Sequence, residues 1–568
     1  MKFSKKYFCF VLILTLALVW KLNTLRERLS VVEAFRGASI QREVFYPLMS
    51  KNINDNRYLH VYINDKVYNN YDYGIIMDDN MQPAASLAFI REEMGGCAYR
   101  SDSNSLVVQI KDDVYEFILG KYFATKNGDE VNLTTAPIMH GDGIYIGLND
   151  LCNFFNYQYF YEPESQDVFM SYQQQASLPR TFDLRKIRRI SFIRDQGSSS
   201  ACWACASLEA LESSLKPFAD YKFSVDKMVK DNSFDLETVE GGKFTMALAY
   251  ILAWQGPAEE YESATAVHLQ EAHFYDADDV EDIKRAVYKD GGVSTSIYAS
   301  ALNSNITQSA NYNKSTNSYC YLGSNKPNHQ VIIVGWDDDY PAEMFKSNVP
   351  GDGAFICQNS WGDRFGEDGV FYISYYDSNI GKQAVSYSRV DELGRYDNIY
   401  QSDLCGWVGQ MGYGKNWVYG ANTYTALGSE EVRAAGFYAL KDNTNYQLFF
   451  VNDYENTGSL ARRTLVAEGS LKDAGYYTIE FTTPAQVKKG EDFAVVLYIN
   501  TPGTNTPMAL EYVSDEMTRN VDITDGKGFI SNNGLDWECV EDVTKANLCL
   551  KAYSKNVKVI TEEIKQEE

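Results

Sequence analysis

The chain has 568 residues, too many for one domain at roughly 100–200 residues each, so about three domains are expected. Hydrophobic residues make up 45% of the sequence and charged residues 23%, a balance typical of globular protein rather than of disorder. The formal net charge is −25, which argues against a nucleic-acid partner because phosphates attract clustered Lys and Arg.

The first residues have the pattern of an export signal. Lys2, Lys5 and Lys6 precede an apolar run from Tyr7 to Trp20, and a basic start before a short apolar stretch is typical of a signal-type segment. The run is shorter than the ~20 residues that a spanning helix usually needs, and no small-residue cleavage site directly follows it. Residues 1–45 are therefore either a cleaved signal peptide or an uncleaved signal-anchor with a juxtamembrane helix, and we expect the anchor.

Short β-like runs separated by Asn, Asp and Gly dominate residues 55–172. Runs such as VYINDKVY and NSLVVQIKDDVYEFIL show alternation or enrichment in β-branched residues, as strands do. The stretch YIGLNDLCNFFNYQYFYEPESQDVFMSY resembles the repeat unit of the stalk domain at the N-terminus of some copper amine oxidases and of many bacterial surface proteins. This resemblance implies a small β-rich spacer domain without catalytic residues.

After the polar linker QQQAS the pattern changes. The spacing of leucines predicts a helix from Cys202 towards Lys216, and DVEDIKRAVYKDG predicts another that ends at Gly291. Beyond Pro327 the runs HQVIIVGWD, GAFICQNSW and GVFYISYY predict strands. Helices first and strands later indicate an α+β domain over residues 178–394, with a helical layer against a sheet or barrel.

The C-terminal region is nearly all β by pattern. NYQLFFVND, GYYTIEFTT and DFAVVLYIN recur with turn signals between them, which favours a sandwich over residues 395–555. Residues 556–568 form a charged tail that is expected to fray.

The segment SACWAC places Cys202 and Cys205 three residues apart. Such a pair can be a redox motif, half of a zinc site, or a reactive thiol beside a bystander. The redox motif needs a strand–helix–strand context, but the polar loop RDQGSSSA precedes Cys202. The chain has no second C-x-x-C and no His pair at ligand spacing near this one, so no structural zinc site and no metal requirement are expected.

A cysteine nucleophile fits this segment better. A thiolate is favoured at a helix N-terminus beside a protonated histidine, and Cys202 is expected to begin a helix. Far along the chain His329 begins the strand run NHQVIIVGW, and Asn359 lies in CQNSWGDRFGEDG, where an amide can orient an imidazole.

Four stretches together resemble the papain family of cysteine proteases. LPRTFDLR resembles the mature start of such enzymes, DQGSSSACWA their nucleophile loop, NHQVIIVGW their histidine strand, and NSWGDRFGEDGVFYI their asparagine hairpin. His329 and Asn359 also follow Cys202 at close to the ~130–150-residue spacing of the family. The resemblance implies a papain-like catalytic domain, with a helical layer and a β-barrel-like layer, that hydrolyses peptide bonds.

The same resemblance implies four catalytic roles. Cys202 would be the nucleophile, His329 the general acid and base, and Asn359 the group that orients His329. Gln196, six residues before Cys202, would donate its side-chain amide to the oxyanion hole beside the Cys202 backbone N–H.

Three further residues complete the expected substrate-binding region. Trp361 would cover the hydrogen bond between Asn359 and His329 from water. Gly241 and Gly242 would let the substrate backbone approach closely, because glycine has no side chain to obstruct it.

The sequence departs from the family at supporting positions. Ser199 stands where a structural cysteine is usual, so the usual loop disulfide is absent, and Ser200 stands where glycine is usual. Cys205 replaces an aromatic residue and is expected to face the core. One alternative stays open, in which oxidation joins Cys202 and Cys205 in a disulfide that silences the enzyme.

The C-terminal region adds a second family feature. YQSDLCGWVGQMGYGKNWVYGANTYTA through ANLCLKAYS resembles the lectin-like β-sandwich that follows the papain-like domain in a group of bacterial surface proteins. The resemblance implies contact with carbohydrate or cell wall, although no ligating residues stand out.

These features predict an endopeptidase that is exported and tethered at the cell surface, or secreted if the signal is cleaved. It would act on protein or peptide substrates without a cofactor, contact the membrane through its N-terminal segment, and bind no nucleic acid. Two alternatives stay open, a papain-fold amidase or transpeptidase acting on cell-wall peptides and a catalytically idle surface adhesin. The presence of all four catalytic residues argues against the adhesin.

Overall fold

The computed structural model describes residues 60–557 with gaps at 64–65, 70–74, 79–81, 93, 95–96, 101–103, 111–112, 141–142, 156, 163–166, 173–177, 217–218, 236–240, 263, 278, 300–307 and 525–526. The expected signal or anchor segment lies outside the described residues, as does most of the charged tail. None of the helices in the described ranges is long and apolar enough to cross a membrane. The chain divides into two compact units, Met1–Pro179 and Arg180–Glu568.

Over the residues that the structure describes, the first unit is built from short strands and two helices. Its elements are β1 (His60–Ile63), β2 (Lys66–Asn69), β3 (Ile75–Met77), β4 (Pro83–Ser86), α1 (Leu87–Glu92), β5 (Cys97–Arg100), β6 (Ser105–Ile110), β7 (Asp113–Ile118), β8 (Phe123–Lys126), β9 (Asp129–Asn132), β10 (Ile138–His140), β11 (Gly143–Gly147), α2 (Leu148–Phe155), β12 (Tyr157–Glu162) and β13 (Asp167–Tyr172).

Three sheets enclose the core of this unit. The sheet orders are β12–β13–β1–β2, β10–β11–β4–β3 and β5–β6–β7–β8–β9. The first described strand, β1, pairs in parallel with the last, β13, so the two ends of the unit meet in one sheet. Phe89, Phe117 and Leu151 lie fully buried in its core.

The second unit begins with a mixture of helices and strands. These are β14 (Thr181–Asp183), α3 (Cys202–Leu215), α4 (Val225–Lys230), α5 (Phe244–Leu252), β15 (Val267–Tyr275), α6 (Val280–Lys289), β16 (Val293–Ile297), β17 (Tyr312–Asn313), β18 (Ser318–Tyr319), β19 (His329–Asp337), β20 (Ala354–Gln358), β21 (Val370–Ser374) and β22 (Ala384–Glu392). This order of helices before strands confirms the α+β prediction.

Helix α3 lies at the centre of this region. It packs against α4 and α5 on one side and against β16, β19 and β22 on the other. The helix is therefore covered on most of its surface, and its residues Trp203, Leu208 and Leu211 are buried. Strand β19 is buried along almost its whole length, as expected for a Val/Ile-rich run that is covered on both faces. Within β19, a Cβ at Gly335 would lie 2.3 Å from the Phe182 carbonyl oxygen, so only glycine permits β14 to pair so closely.

The rest of the second unit is almost entirely strand. Its elements are β23 (Asn398–Tyr400), β24 (Gly409–Met411), β25 (Trp417–Thr425), β26 (Glu430–Ala439), β27 (Thr444–Val451), β28 (Thr464–Leu471), β29 (Gly475–Val487), β30 (Asp492–Asn500), β31 (Met508–Tyr512), β32 (Gly528–Ser531), β33 (Glu538–Cys539), α7 (Val540–Thr544), β34 (Ala546–Leu548) and β35 (Leu550–Asn556).

These strands form the predicted sandwich. A six-stranded sheet with the order β28–β27–β30–β25–β32–β33 packs over strands that include β26, β29 and β35. Their shared core contains Phe437, Leu448, Val495, Leu497 and Leu550, all 0–1% exposed.

One sheet crosses from the helical region into the sandwich. It contains 13 strands, 12 of them in the order β17–β18–β21–β20–β19–β16–β22–β15–β29–β26–β35–β23, and the remaining strand, β14, pairs with β19. The crossing point is the pairing of β15 with β29, in which Glu271 lies opposite Tyr477 and His273 opposite Gly475. The sheet therefore continues across the domain boundary that the sequence predicts near residue 394.

Candidate active site

Cys202 is the first residue of α3 and is partly exposed. The backbone N–H groups of Gln330, Trp203 and Cys202 itself act as hydrogen-bond donors to the thiol, and Gln330 directly follows His329. The fold thus places the sulfur beside the start of β19, although Cys202 and His329 are far apart in sequence.

The loop before Cys202 is held by the segment that follows β20. The Gln196 backbone N–H donates to the Ser360 carbonyl (2.9 Å), and the Gly362 N–H donates to the Arg194 carbonyl (2.9 Å). The side chain of Gln196 is fixed at both ends, because its Oε1 accepts from Ser360 Oγ (2.6 Å) and its Nε2 donates to the Ser199 carbonyl (2.7 Å). These bonds use one N–H of the amide and leave its second N–H available to another acceptor.

His329, Asn359 and Trp361 form a buried group at the ends of β19 and β20. His329 Nε2 lies 2.9 Å from Asn359 Oδ1, and the same oxygen accepts from the Ser360 backbone N–H at 2.8 Å. Because the Ser360 N–H can only donate, the Asn359 amide atom that accepts from it must be the oxygen. That oxygen can only accept from His329 as well, so Nε2 of the imidazole must carry a proton. The other ring nitrogen, Nδ1, is then the one that can accept a proton.

Trp361 stacks on this imidazole. The two rings lie 4.6 Å apart between centroids at an angle of 21°. His329 is 3% exposed, Asn359 is fully buried and Trp361 is 8% exposed, so water reaches neither end of the hydrogen bond. A buried hydrogen bond that excludes water is stronger and better oriented than an exposed one.

Burial favours the neutral forms of both Cys202 and His329. Burial lowers the pKa of His329 to about 4, although the hydrogen bond with Asn359 acts in the opposite direction. Burial also raises the pKa of the Cys202 thiol, against the three backbone N–H groups. At Cys202 desolvation thus outweighs the backbone donors, so the helix N-terminus by itself does not favour the thiolate.

The two glycines expected to border the substrate differ in their surroundings. A Cβ at Gly242 would lie 2.5 Å from the ring of Trp203, whereas nothing lies within 4 Å of one at Gly241. A side chain at position 242 would thus collide with the indole of Trp203, so glycine is required there. The backbone of Gly241 is unobstructed.

The second cysteine of the pair is buried, as predicted. Cys205 is 2% exposed, neither Cys202 nor Cys205 is bonded to another cysteine, and burial raises the pKa of the Cys205 thiol. Among the described residues no cluster of three or more His, Cys, Asp or Glu side chains is placed to hold a metal ion.

Sequence reasoning missed two supporting residues. Ser360 bonds both Gln196 and Asn359, and its position between Asn359 and Trp361 in the asparagine motif was the available signal. Arg194 is 7% exposed and pairs with Glu212 at 2.6 Å beneath the nucleophile loop. A charged residue just before DQG gave no indication that it would be buried.

The chain matches two protein-family models. Residues 178–388 match the papain family cysteine protease model, and residues 399–554 match the lectin-like domain model.

Curated relatives match the first of these regions. The viral cathepsin of Epiphyas postvittana nucleopolyhedrovirus is 29% identical over 211 residues, which cover 34% of this chain and 59% of the relative. A cysteine protease of Blomia tropicalis is 24% identical over 235 residues, covering 36% of this chain and 64% of the relative. The chain thus spans less than two thirds of the length of these relatives.

Solved structures share the architecture of both regions. The Clostridial cysteine protease Cwp84 after propeptide cleavage superposes with a TM-score of 0.59 at 21% identity, covering 66% of this chain and 99% of the other. A structure of the cysteine protease and lectin-like domains of Cwp84, a surface layer associated protein of Clostridium difficile, gives a TM-score of 0.58 at 21% identity, covering 68% and 90%. Residues 178–388 therefore form a papain family cysteine protease domain, and residues 399–554, which follow it, form a lectin-like domain.

Proposed function

We propose that the protein is an endopeptidase in which Cys202, His329, Asn359 and Gln196 carry out the hydrolysis of peptide bonds. The observation that carries the proposal is the hydrogen bond between His329 and Asn359, held under Trp361 and next to Cys202. Nothing in a structural role requires this combination of a partly exposed thiol and a buried, oriented imidazole.

The chemistry follows from the proton positions. Nδ1 of neutral His329 accepts the proton of the Cys202 thiol as the sulfur attacks the carbonyl carbon of the substrate. The Cys202 backbone N–H and the Gln196 amide donate hydrogen bonds to the oxygen that gains negative charge. His329 then protonates the departing amine, and water hydrolyses the thioester by the reverse sequence of proton transfers.

Burial of the site is compatible with this mechanism, because the mechanism starts from a neutral Cys202 thiol and a neutral His329 imidazole. Burial favours the neutral thiol of Cys202 and the neutral imidazole of His329. The proton can therefore move from sulfur to nitrogen in one of two ways. It moves as the sulfur begins its attack, or it moves earlier because the thiolate and the imidazolium stabilise each other. Asn359 supports the second case because its hydrogen bond raises the pKa of His329.

Two measurements test the proposal. Treatment of the full chain with an epoxide inhibitor of thiol proteases should add one inhibitor mass to the peptide that contains Cys202, and the Cys202→Ala variant should gain none. The wild-type protein should release fragments from a peptide library, and Cys202→Ala should release none. Equal cleavage by both proteins would overturn the assignment.

A second candidate function uses the same residues. A papain-fold amidase or transpeptidase would act on cell-wall peptides and would differ in its acceptor and in its substrate pocket. Incubation with purified wall fragments separates the two. Wall peptides cleaved or joined in preference to library peptides would favour the second candidate.

We also propose that the protein is exported and held at the cell surface, with the stalk-like, peptidase and lectin-like domains at 55–172, 178–394 and 395–555. The proposal is supported by the signal-type pattern of residues 1–45 and by the description of Cwp84 as surface layer associated. Carbohydrate contact by the lectin-like domain is supported by its family. Release of the protein from intact cells by an added protease, without lysis, would test the location.

A further inference from the structure

The six-stranded sheet of the lectin-like domain has one face that points away from the sandwich core. Val418, Leu448 and Leu497 point into the core, and because side chains alternate along a strand, their neighbours point outward. Over the described part of the chain, no strand of this sheet comes from the peptidase region. The outward face is therefore a surface of the lectin-like domain itself.

Strand register arranges the outward residues in rows across the sheet. Two adjacent rows cross β25, β30 and β27, and their members are Trp417, Asn500 and Asn445 in the first row and Tyr419, Tyr498 and Gln447 in the second. Asn445 is exposed and the other five residues are partly exposed. We call these two rows the aromatic–amide strip.

Three aromatic rings of the strip adjoin one another. The ring centroids of Tyr419 and Tyr498 lie 4.8 Å apart, and that of Trp417 lies 6.2 Å from Tyr498 and 6.4 Å from Tyr419. The ring planes are tilted by 39° to 84°, so the apolar surface is twisted rather than flat. The exposed Lys415 lies over Trp417, with Nζ 4.5 Å from the ring centroid, and places an N–H donor beside this ring.

Side-chain amides border the rings. Ser470 Oγ donates to Asn445 Oδ1 at 2.5 Å, and Gln447 Nε2 donates to Glu468 Oε2 at 2.8 Å. These bonds orient both amides and leave the N–H groups of Asn445 and the carbonyl oxygen of Gln447 available to another partner. Fixed donors and acceptors beside apolar rings suit a ligand with an apolar face and a hydroxylated rim.

The strip borders two loops that Arg463 joins. Its Nη1 donates to the carbonyl oxygens of Leu460 (2.9 Å) and Gly534 (2.7 Å), and its guanidinium lies 5.3 Å from the centroid of the Tyr419 ring. Ser531 Oγ in turn accepts from the Gly534 N–H at 2.9 Å. This border of the strip is thus in place before a ligand binds, which lowers the entropy cost of binding.

A sugar ring has the distribution of polarity that the strip requires. In a glucose-type pyranose the hydroxyl groups are equatorial and project from the rim, so axial C–H groups cover both faces of the ring. Those faces can stack on the electron-rich faces of aromatic side chains, and the rim hydroxyls match amide donors and acceptors. An extended peptide fits less well, because it pairs with an unpaired sheet edge, whereas β25, β30 and β27 are interior strands.

We propose that the aromatic–amide strip is a carbohydrate-binding site, which holds glucose-type pyranose units of a polysaccharide against Trp417, Tyr419 and Tyr498. The inference rests on the proposed carbohydrate contact of the lectin-like domain, and it adds where that contact is made and which sugars fit. It does not depend on the peptidase chemistry.

Calorimetric titration of the full chain tests the site. The probes are cellohexaose and chitohexaose, linear oligomers of glucose and of N-acetylglucosamine, and the wild-type protein should bind at least one of them. Trp417→Ala should weaken binding about tenfold or more, the scale of losing an aromatic anchor, and Trp417→Phe should keep most of the affinity. Tyr512→Ala is the matched control, because Tyr512 is an aromatic residue of the same domain, 36% exposed, on a different sheet, and it should bind as wild type does.

A second variant guards against misfolding of the first. Asn445→Ala removes amide N–H donors at an exposed position and should weaken binding about fivefold, the scale of one hydrogen bond. Thermal unfolding of the variants should coincide with that of the wild-type protein. Unchanged binding in Trp417→Ala, or an equal loss in Tyr512→Ala, would overturn the inference. If Trp417→Ala does not fold, unchanged binding in Asn445→Ala overturns it instead.

Titration with isolated cell-wall polysaccharide separates this inference from the proposed function. Wild-type binding that persists undiminished in Trp417→Ala and Asn445→Ala rejects the strip and leaves carbohydrate contact by the domain intact. A wild-type protein that binds neither the polysaccharide nor either oligomer rejects the carbohydrate contact as well. Peptide cleavage does not enter these measurements, so neither result bears on the peptidase function.

Discussion

At the scale of single residues, the surroundings of Cys202 are formed by groups that lie far from it in sequence. Gln330 supplies a backbone donor to its sulfur, and His329 supplies the unprotonated nitrogen. Ser360 fixes both Gln196 and Asn359. One short segment, residues 359–361, thus contacts both His329 and Gln196.

Loss of the Gln196 amide should slow the reaction without preventing binding. Gln196→Ala removes one of the two donors to the developing oxyanion, and we expect kcat to fall about 10²–10³-fold. Steady-state kinetics on a preferred peptide would measure it. Ser199→Ala is the control, because Ser199 Oγ contacts only the backbone carbonyl of Gln196 (2.7 Å) and its loss should change kcat little. A kcat in Gln196→Ala equal to wild type would show that this amide does not face the oxyanion.

The pH profile should report the buried imidazole. Because burial lowers the pKa of His329 to about 4, the ring is neutral above about pH 4 and can accept the thiol proton only there. We expect kcat/KM to fall as pH decreases through about 4 rather than near the ordinary imidazole value of ~6.5.

The Asn359→Ala variant extends this prediction. Loss of the Asn359 amide removes the hydrogen bond that raises the pKa of His329. The acid limb of the kcat/KM profile should therefore move to lower pH, and the maximum rate should fall. An acid limb that stays in place, or moves up, would contradict the assigned role of Asn359.

At the scale of elements, a buried ion pair joins the loop before α3 to the C-terminal half of that helix. Arg194 bonds Glu212 through both terminal nitrogens, at 2.9 and 2.6 Å, and also donates to the Phe223 carbonyl at 2.9 Å. Glu209 lies one turn earlier on α3, 3.8 Å from the same guanidinium, and burial raises its pKa to about 8. One cation thus supports two carboxyl groups on the helix that carries Cys202.

Removal of that cation should destabilise the protein strongly. Arg194→Met leaves Glu212 buried without its cationic partner, with hydrogen bonds only from Ser191 Oγ and the Phe223 N–H, and breaking a buried ion pair on one side costs about 3–5 kcal/mol. Urea denaturation would measure the change in free energy of unfolding. The matched control is Lys230→Met, whose ion pair with Asp226 has side chains 61% and 83% exposed, and it should cost no more than about 0.5 kcal/mol. Equal effects of the two variants would mean that the Arg194 cluster is not a structural support.

At the scale of the whole molecule, the peptidase and lectin-like domains share one sheet. β15 belongs to the peptidase region and pairs with β29 of the sandwich, and the ring of Phe274 in β15 stacks on Trp407 of the lectin-like domain at 5.7 Å. Gln401 Nε2 also donates to the Ala253 carbonyl at 3.0 Å. Such an interface should make the two domains unfold together.

A variant in the sandwich core tests this coupling. Leu497 is fully buried in the lectin-like domain, and Leu497→Ala should cost about 2–5 kcal/mol. If the domains unfold as one unit, the temperature at which peptidase activity is lost should fall together with the calorimetric transition. Leu535→Ala, at a residue 67% exposed, is the control. Activity lost at the wild-type temperature in Leu497→Ala would show that the domains unfold independently.

The α+β and all-β regions and the papain-like and lectin-like resemblances were predictable because they are local. The leucine spacing of α3, the apolar run of β19 and the stretches around Cys202, His329 and Asn359 are each contained in a few residues. Local patterns record which face of an element is buried and which residue types stand together. The seven candidate site residues could be named for the same reason, although their roles stay predictions until tested.

Tertiary structure alone decided the rest. The direction of the Cys202 and His329 pKa shifts depends on burial by elements distant in sequence, and a sequence does not show how deeply a group is desolvated. The burial of Arg194, the bridging role of Ser360 and the sheet that joins β15 to β29 all arise from contacts between residues far apart along the chain. The sequence by itself determined the families of the two matched domains and the candidate site residues. The fold decided the charge of those residues and the contacts that support them, because solvent exclusion and long-range contacts exist only once the chain is packed.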